Sequence, residues 1–344
     1  MKPLVSILIP AYNASQWLGL SIRSALDQTW PSKEIIVVDD GSRDDTLAVA
    51  RAFEREGVQV VTQANQGAAA ARNHAYALSR GELIQWLDAD DLLAPGKIEH
   101  QMELRERCSP RALLSGPWGH FYFRTEKARF APNALWHDLS PHEWLCRKMA
   151  DGYFMQTATW LVPRSLSEAA GPWNTALLGD DDGEYFCRIL LASDGVRFSP
   201  ESRVLYREVI GNRLSHVGRS TRKLEAHFHS MKLHIGYLRS LADDARTREV
   251  CVKYLQRYLF YFHRQTPAIV AEMEKLAREL GGELHPPRTR AKYYWIQKLF
   301  GWNAAMSAQL FFPRIRSSLS YRWDRFRYRG DASGHAPVTA PQSS

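Results

Sequence analysis

The feature that most narrows what this chain can become is the rhythm of its first hundred residues, where short apolar runs alternate with helical patterns. Strands are expected at Val5 to Pro10, Glu34 to Asp39, Val58 to Thr62 and Leu83 to Leu87. Helices are expected over about Ser15 to Gln28, Asp44 to Glu56 and Gly67 to Ser79. Strands separated by helix-length crossovers make a doubly wound, mostly parallel sheet with helices on both faces, an α/β fold. Such sheets hold ligands in the crevice beyond the carboxyl ends of their strands. The polar residues collect there: Pro10-Ala11-Tyr12-Asn13 after the first strand, Asp39-Asp40-Gly41-Ser42 after the second, and Asp88-Ala89-Asp90-Asp91 after the fourth.

Asp88 and Asp90 flank a small residue, so a turn can bring both carboxylates to one side. Hard cations such as Mg²⁺ or Mn²⁺ take one or two carboxylates together with diphosphate oxygens, which makes a metal–diphosphate clamp the functional reading. A solvated turn or a helix cap is the bland one. Asp39 and Asp40 could accept an N–H from a base or hold a ribose hydroxyl. Gly67 lets the start of the Ala68–Ala71 helix approach a ligand closely, with Arg72 as a bidentate donor to phosphate, unless this is a packing helix with a surface arginine. After the first strand stands Ala11-Tyr12-Asn13-Ala14-Ser15, with no glycine-rich basic loop and no G-x-G-x-x-G. That disfavours a nucleotidyltransferase and a dinucleotide-dependent dehydrogenase.

The ordered set Val5-Ser6-Ile7-Leu8-Ile9-Pro10-Ala11-Tyr12-Asn13, Glu34 to Asp40-Gly41-Ser42-x-Asp44, Asn65-x-Gly67-x4-Arg72-Asn73 and Trp86-Leu87-Asp88-Ala89-Asp90-Asp91 resembles glycosyltransferase family 2 over about residues 4 to 100. The resemblance implies a GT-A fold, a nucleotide-sugar donor that is usually UDP-linked, a divalent metal (Mn²⁺ or Mg²⁺) and inversion at the anomeric carbon. Carried over by position, it has Pro10, Ala11 and Tyr12 lining the base pocket, Asp40 on the uracil or its equivalent and Asp39 beside it. Asp88 faces the ribose and diphosphate, Asp90 is the direct metal ligand, and Asn13, Gly67, Arg72 and Ala89 complete the donor-contacting set. Inverting transfer also needs a general base on the far side of the cleft. Gly179-Asp180-Asp181-Asp182-Gly183-Glu184-Tyr185-Phe186-Cys187-Arg188 resembles the family's Glu-Asp motif, and alignment on Arg188 puts Asp182 at the base, with Asp181 the base if the register slips by one. Asp181 replaces the usual Glu, Gly183 a usual aromatic, and Glu184 stands where Asp is common. These departures leave open a protein that binds nucleotide sugar without turnover, or simply an acidic helix N-terminus.

From about 110 to 215 the pattern loosens into short strands, expected at Ala112 to Ser115 and Thr157 to Pro163, among loops rich in Trp, His and Pro. Trp118, His120, Trp160 and Trp173 could stack on sugar faces or fill the core. His216 could reach the diphosphate or be structural. Residues 219 to 281 read as two or three helices, with Pro267 opening one and Gly281-Gly282 closing it. The expected organisation is a nucleotide-sugar-binding half (1–110), an acceptor half (111–215), a helical extension (216–284), a basic tail (285–330) and a disordered end (331–344).

Residues 286–330 hold ten Lys or Arg against one acid, Asp324, so this segment carries +9 of a chain whose net charge is +8, leaving −1 for the rest. Trp295, Leu299, Trp302, Met306 and Leu310 recur at helical spacing within it. An amphipathic helix with cationic flanks suits an anionic membrane surface and an acceptor sugar carried on lipid; a helix packed on the catalytic domain, or a dimer contact, fits the pattern equally. Nucleic acid is not expected, because no binding module accompanies the charge. Four dispersed cysteines with no C-x-x-C pair suit a reduced, cytoplasmic chain, peripheral at the inner face of the plasma membrane if the tail docks there. The opening residues lack a signal-peptide core, and no apolar run is long enough to span a bilayer. With neither membrane spans nor a Gln-x-x-Arg-Trp motif, addition of single sugars to a glycan or glycolipid in cell-envelope polysaccharide biosynthesis is expected rather than processive polymerisation.

Overall fold

The computed structural model describes residues 2–209, 220–263, 266–287 and 291–332; His216 and the end of the chain beyond 332 lie outside them. The first half alternates as the sequence rhythm predicts: β1 (Val5–Ala11), α1 (Leu18–Leu26), β2 (Lys33–Asp39), α2 (Thr46–Arg51), β3 (Val58–Thr62), α3 (Ala68–Leu78) and β4 (Leu83–Trp86). There follow β5 (Leu92–Leu93), α4 (Lys97–Arg105), β6 (Leu113–Ser115), β7 (Trp118–Phe121), β8 (Arg129–Phe130), α5 (Pro141–Asp151), β9 (Val162–Pro163), α6 (Arg164–Ala170), α7 (Asp181–Ala192), β10 (Val196–Phe198) and β11 (Val204–Arg207). The central sheet has the order β3-β2-β1-β4-β9, parallel except for β9. Ile7, Leu8, Ile9, Ile36, Val37 and Val38 are fully buried, as strands covered on both faces by helices must be. Register places Ala11, Asp39 and Thr62 in one row at the carboxyl edge. β7 and β11 belong to a second sheet, of order β5-β11-β7-β8, beyond the end of β4.

Two expectations are corrected. The helix over Asp44–Glu56 is short, ending at Arg51 and resuming as a 3₁₀ turn over Glu54–Glu56 before Gly57. The strand over Thr157–Pro163 begins as a 3₁₀ turn at Thr157–Thr159; Leu161 bridges Leu114, and Val162–Pro163 pair as β9. Side chains have taken the place of ladder partners there: Gln156 accepts from Ala158 N at 2.6 Å, Gln85 donates to the Ala158 carbonyl at 2.8 Å and Gln101 to that of Thr159 at 2.9 Å.

Beyond the second sheet come α8 (Thr221–Leu241), α9 (Ala245–Phe262), α10 (Pro267–Glu279) and α11 (Tyr294–Ala332). One hydrophobic core runs from Val5 to Leu280, so α8–α10 share it with the sheet; Tyr293, Ile296 and Ala305 form a separate small cluster. Gly301 (φ 82°, ψ 170°) breaks α11 into two helical stretches, a backbone state that glycine adopts freely. The break falls within the expected apolar stripe, between Leu299 and Trp302; Trp295 and Leu299 are exposed, and the side chains of Trp302, Met306 and Leu310 lie outside what is described. The second stretch docks on the segment after β7. Asp324 accepts from the backbone N–H groups of Phe123 (2.9 Å) and Arg124 (3.3 Å) and from Arg124 Nε (2.7 Å). Tyr321 and Tyr328 pack against Phe123. Among the described residues no helix is long and apolar enough to cross a membrane.

Candidate active site

The carboxyl edge of the sheet is built from short polar turns that hold one another. Asn13, in a left-handed conformation (φ 46°), donates its N–H to Ser42 Oγ (3.0 Å) and accepts from Arg43 N (2.9 Å). This ties the Pro10–Asn13 turn to the one after β2 and leaves Tyr12 half exposed beside it. Asp39 is buried and accepts from Thr62 Oγ1 at 3.1 Å. Asp40, equally buried, accepts from Gln63 Nε2 (2.8 Å), Gln66 N (2.9 Å) and Gly67 N (2.8 Å). Both of its oxygens therefore fasten the start of α3, where Gly67 has the positive φ (92°) that a side chain would oppose.

Arg72, on the buried face of α3, joins the two acidic clusters. Its Nη2 donates to Asp88 Oδ1 at 2.8 Å and its Nη1 to Asp181 Oδ2 at 2.9 Å, while the guanidinium lies 4.4 Å from the centre of the Trp173 ring. Burial opposes its charge, but Asp88 and Asp181 outweigh this and raise its pKa above the ordinary value. The arginine is thus engaged with two carboxylates 93 positions apart in the chain, rather than standing free toward a phosphate. Trp173 stacks on Tyr185 (4.1 Å, 11°), and Trp118, Trp160 and Trp173 are core residues, while His120 pairs with Glu208 at 2.9 Å.

Asp181 and Asp182 open α7, as the acidic motif predicts. Asp182 is partly exposed and accepts from Gly183 N at 2.8 Å. Burial pushes its carboxyl up to about 6, with Asp181 and Asp180 adding to the rise against a smaller lowering by Arg72. A cavity of about 50 Å³ opens at Asp182, between Lys148, Phe154 and Asp180. Asp180 holds the turn before α7 in a left-handed conformation (φ 57°), uncommon without glycine and a form of strain that recurs at functional sites. Ser230 from α8 donates to it at 2.7 Å; burial opposes its ionisation, but His234, Lys148 and His227 keep its pKa below the usual range. Glu184 is occupied elsewhere: Arg188 grips it with two bonds of 2.8 Å and Tyr237 donates to it at 2.7 Å.

At the end of β4, Ala89 is buried and the Asp90 carbonyl accepts from Arg207 Nε at 2.9 Å. Arg207 is the residue the sequence hid. It is almost fully buried, lies 4.0 Å from the Trp17 ring centre and 4.4 Å from that of Phe121, and its backbone N–H donates to Asp91 at 2.8 Å. Burial draws its guanidinium down to about 10, against the pull of Asp90 and Asp91. In the sequence the Tyr206-Arg207 pair resembles a strand-ending feature of the family, with no role following for either residue. Asp91 is fully buried and bonded to Gln156; burial, reinforced by Asp90 and Asp88, holds its pKa well above the carboxylate range. Among the described residues no group of three or more His, Cys, Asp or Glu has metal-holding geometry. The donors at this strand end are nevertheless oxygens only, with Asp88 partly open to solvent. Two carboxylates completed by diphosphate oxygens are what Mg²⁺ or Mn²⁺ ordinarily takes, so the residues fit such an ion bound together with its nucleotide.

Residues 6–152 match the family model described as glycosyl transferase family 2. The chain carries a glycosyl transferase family 2 domain. An uncharacterized glycosyltransferase of Rickettsia typhi is 31% identical to it over 200 residues, 56% of this chain and 60% of that protein. The chain spans 60%, 42% and 35% of the first three curated relatives it matches. The family 2 domain and the helices after it share the fold of S. aureus TarS, solved with UDP-GlcNAc: TM-score 0.65 and 16% identity, covering 80% of this chain and 81% of that one. A mannosyltransferase from Pyrobaculum calidifontis, PcManGT, solved with GDP-Man and Mn²⁺, covers 94% of this chain and 88% of its own at a TM-score of 0.54 and 17% identity. The fold is GT-A: a mostly parallel sheet between helices, with a helical region after it.

Proposed function

We propose that the protein is an inverting glycosyltransferase that moves a sugar from a nucleoside diphosphate, UDP being the first candidate, to a hydroxyl of a glycan or lipid-linked acceptor. The observation that carries this reading is Arg72, which ties Asp88 at the end of β4 to Asp181 at the start of α7 and so makes one cleft of two acidic clusters. The row Ala11, Asp39 and Thr62, with Tyr12 beside it, forms the floor for a base and ribose. Asp90, with Asp88, would hold Mn²⁺ or Mg²⁺, which when bound neutralises charge on the diphosphate. The likeness to a neighbour solved with GDP-Man and Mn²⁺ supports that assignment.

Across the cleft Asp182 takes the acceptor proton. With its carboxyl at about 6 it is ionised at neutral pH yet basic enough to accept a proton in the transition state. Asp181 is held by Arg72 and is the weaker candidate for this role. The acceptor fits on the side of β7 and β11, where a groove of about 980 Å³ lies between this sheet and α11, lined by His120, Tyr122, Arg124 and Lys292. Asp182→Asn should lower transfer by roughly 10²–10⁴-fold with the nucleotide sugar still bound, as read by thermal shift against a donor panel with and without Mn²⁺. Full activity in that variant would remove Asp182 as base, and a wild type that neither transfers nor hydrolyses any donor it binds would make the protein a binder.

A further inference from the structure

Beyond Gly301 α11 has two opposite faces, one turned to the domain and one largely exposed. At about 100° per residue, Ser317, Tyr321, Asp324 and Tyr328 fall within about 60° of one another, and all four are directed at the domain: Ser317 Oγ lies 3.1 Å from Tyr122 Oη, Asp324 binds Arg124 and the backbone before it, and Tyr321 and Tyr328 pack on Phe123. By the same geometry Leu319, Trp323 and Phe326 form a second row within about 60°, centred about 160° from the first. These three apolar side chains are 62%, 63% and 70% exposed, with Trp323 at the rim of the groove beneath the helix, while Phe312 stacks on Tyr293. Arg322 and Arg327, both exposed, stand about 70° to either side of the row. On the arm before the break, Trp295, Leu299 and Phe300 are also exposed, with the exposed Lys292 and Lys298 among them.

We infer that this outer face of α11 is a docking surface for an anionic lipid bilayer, on which the helix lies flat in the interface. An apolar row flanked by arginines on both sides is the arrangement that buries rings at the acyl boundary while cations meet the headgroups. The charge distribution selects that occupant. Residues 286–330 carry +9 while the rest of the chain sums to −1, so a second copy of the chain brings the same cationic face and little compensating charge. Tyr321 and Asp324 fix the helix on the domain by its inner face, so docking presents the groove beneath α11 at the membrane surface, with α11 lying flat on it. The inference does not depend on the transfer reaction: Trp323 borders the groove proposed for the acceptor, but flotation reads docking without turnover.

Flotation of the full chain with vesicles tests it, comparing phosphatidylcholine alone with phosphatidylcholine mixed with phosphatidylglycerol. The wild type should float with the mixed vesicles, less so at high salt, and remain behind with phosphatidylcholine alone. Leu319→Ser/Trp323→Ser/Phe326→Ser should lower the bound fraction at least about tenfold, and Arg322→Gln/Arg327→Gln should weaken the preference for anionic lipid. Phe326→Ser alone, a milder change on the exposed row, should show a smaller loss with an unaltered melting curve, which separates lost docking from lost folding. A wild type that does not float, or a triple variant that floats equally, overturns the inference. So does a wild-type dimer in light scattering that the same three substitutions dissociate while flotation is absent.

Discussion

At the residue scale, the site rests on how few cations serve how many carboxylates. Asp182 is surrounded by Asp180 and Asp181 on its own turn, with Arg72 reaching in from α3 and Lys148 from α5. Because burial and its acidic neighbours bring it to about 6, transfer should gain activity with rising pH along a limb centred near 6, visible in a pH–kcat profile at saturating donor. The linkage has the opposite sign for stability. The folded state binds this proton more tightly than the unfolded chain, whose Asp sits at 3.8, so the ionised carboxylate costs nothing below about 4, progressively more up to 6, and its full amount above. Asp182→Asn should therefore melt higher than wild type at pH 7.5, by roughly 2–4 °C per kcal/mol relieved, with the gain vanishing near pH 4. Arg72→Lys tests the bridge: one ammonium keeps the charge but cannot present two parallel donors to Asp88 and Asp181, so kcat should fall by about 100-fold with little change in donor binding. Asp88, Asp181 and Asp182 were each legible from their motifs; the link between them was not, because α3 and α7 lie 109 positions apart at Arg72 and Asp181 and only the folded chain shows them to meet. Arg207 was hidden for the same reason, as its partners Trp17, Asp90 and Phe121 come from three other segments.

At the element scale, β1 to β4 could be placed to within a residue or so, β1, β2 and β4 because strands buried on both faces leave an unmistakable apolar run, whereas the apolar Trp160–Pro163 run lets the turn at Thr157–Thr159 pass for the start of a strand. What decides it is the side-chain bonding from Gln85, Gln101 and Gln156, which no pattern of hydrophobicity records. α11 shows the same limit. Its apolar residues repeat across Gly301 as if the helix were continuous, but the left-handed backbone there changes which of them share a face. The attachment of the helix depends on the one acid in the tail. Asp324 is buried, and although burial opposes its ionisation, the N–H groups of Phe123 and Arg124 and the Arg124 guanidinium hold its pKa below the ordinary range. Asp324→Ala leaves the buried Phe123 N–H without its acceptor, a local loss of about 1–3 kcal/mol. Hydrogen exchange should rise across residues 302–332 and at Phe123 and Arg124, with protection in β1–β4 unchanged.

At the scale of the whole molecule, the helices after the second sheet divide into two kinds by what they bury. α8 and α9 contribute Phe228, Met231, Leu255 and Phe262 to the same core as Ile7 and Val37, and Ser230 and His234 of α8 stand against Asp180 beside the proposed base. Among the described residues α11 contributes nothing to that core; Ile296 and Ala305 cluster with Tyr293 just before it, and it meets the segment after β7 through Asp324 and the rings of Tyr321 and Tyr328. Stability should follow this division. Ending the chain after Pro287 removes an element docked by one carboxylate and its neighbouring rings, so the remainder should unfold in a single cooperative transition within a few degrees of the full chain and keep nucleotide-sugar binding. Ending it after Val209 strips the buried faces of α5 and α7 of their partners and leaves Asp180 in its left-handed turn without Ser230 to hold it. That shorter chain should be aggregation-prone or lack a cooperative melt, because the exposed faces of α5 and α7 were shaped to be interior. Calorimetry of the two truncations side by side decides it: comparable melts for both would mean that α8–α10 are an appendage, and loss of the melt in both would mean that α11 is part of the folding unit.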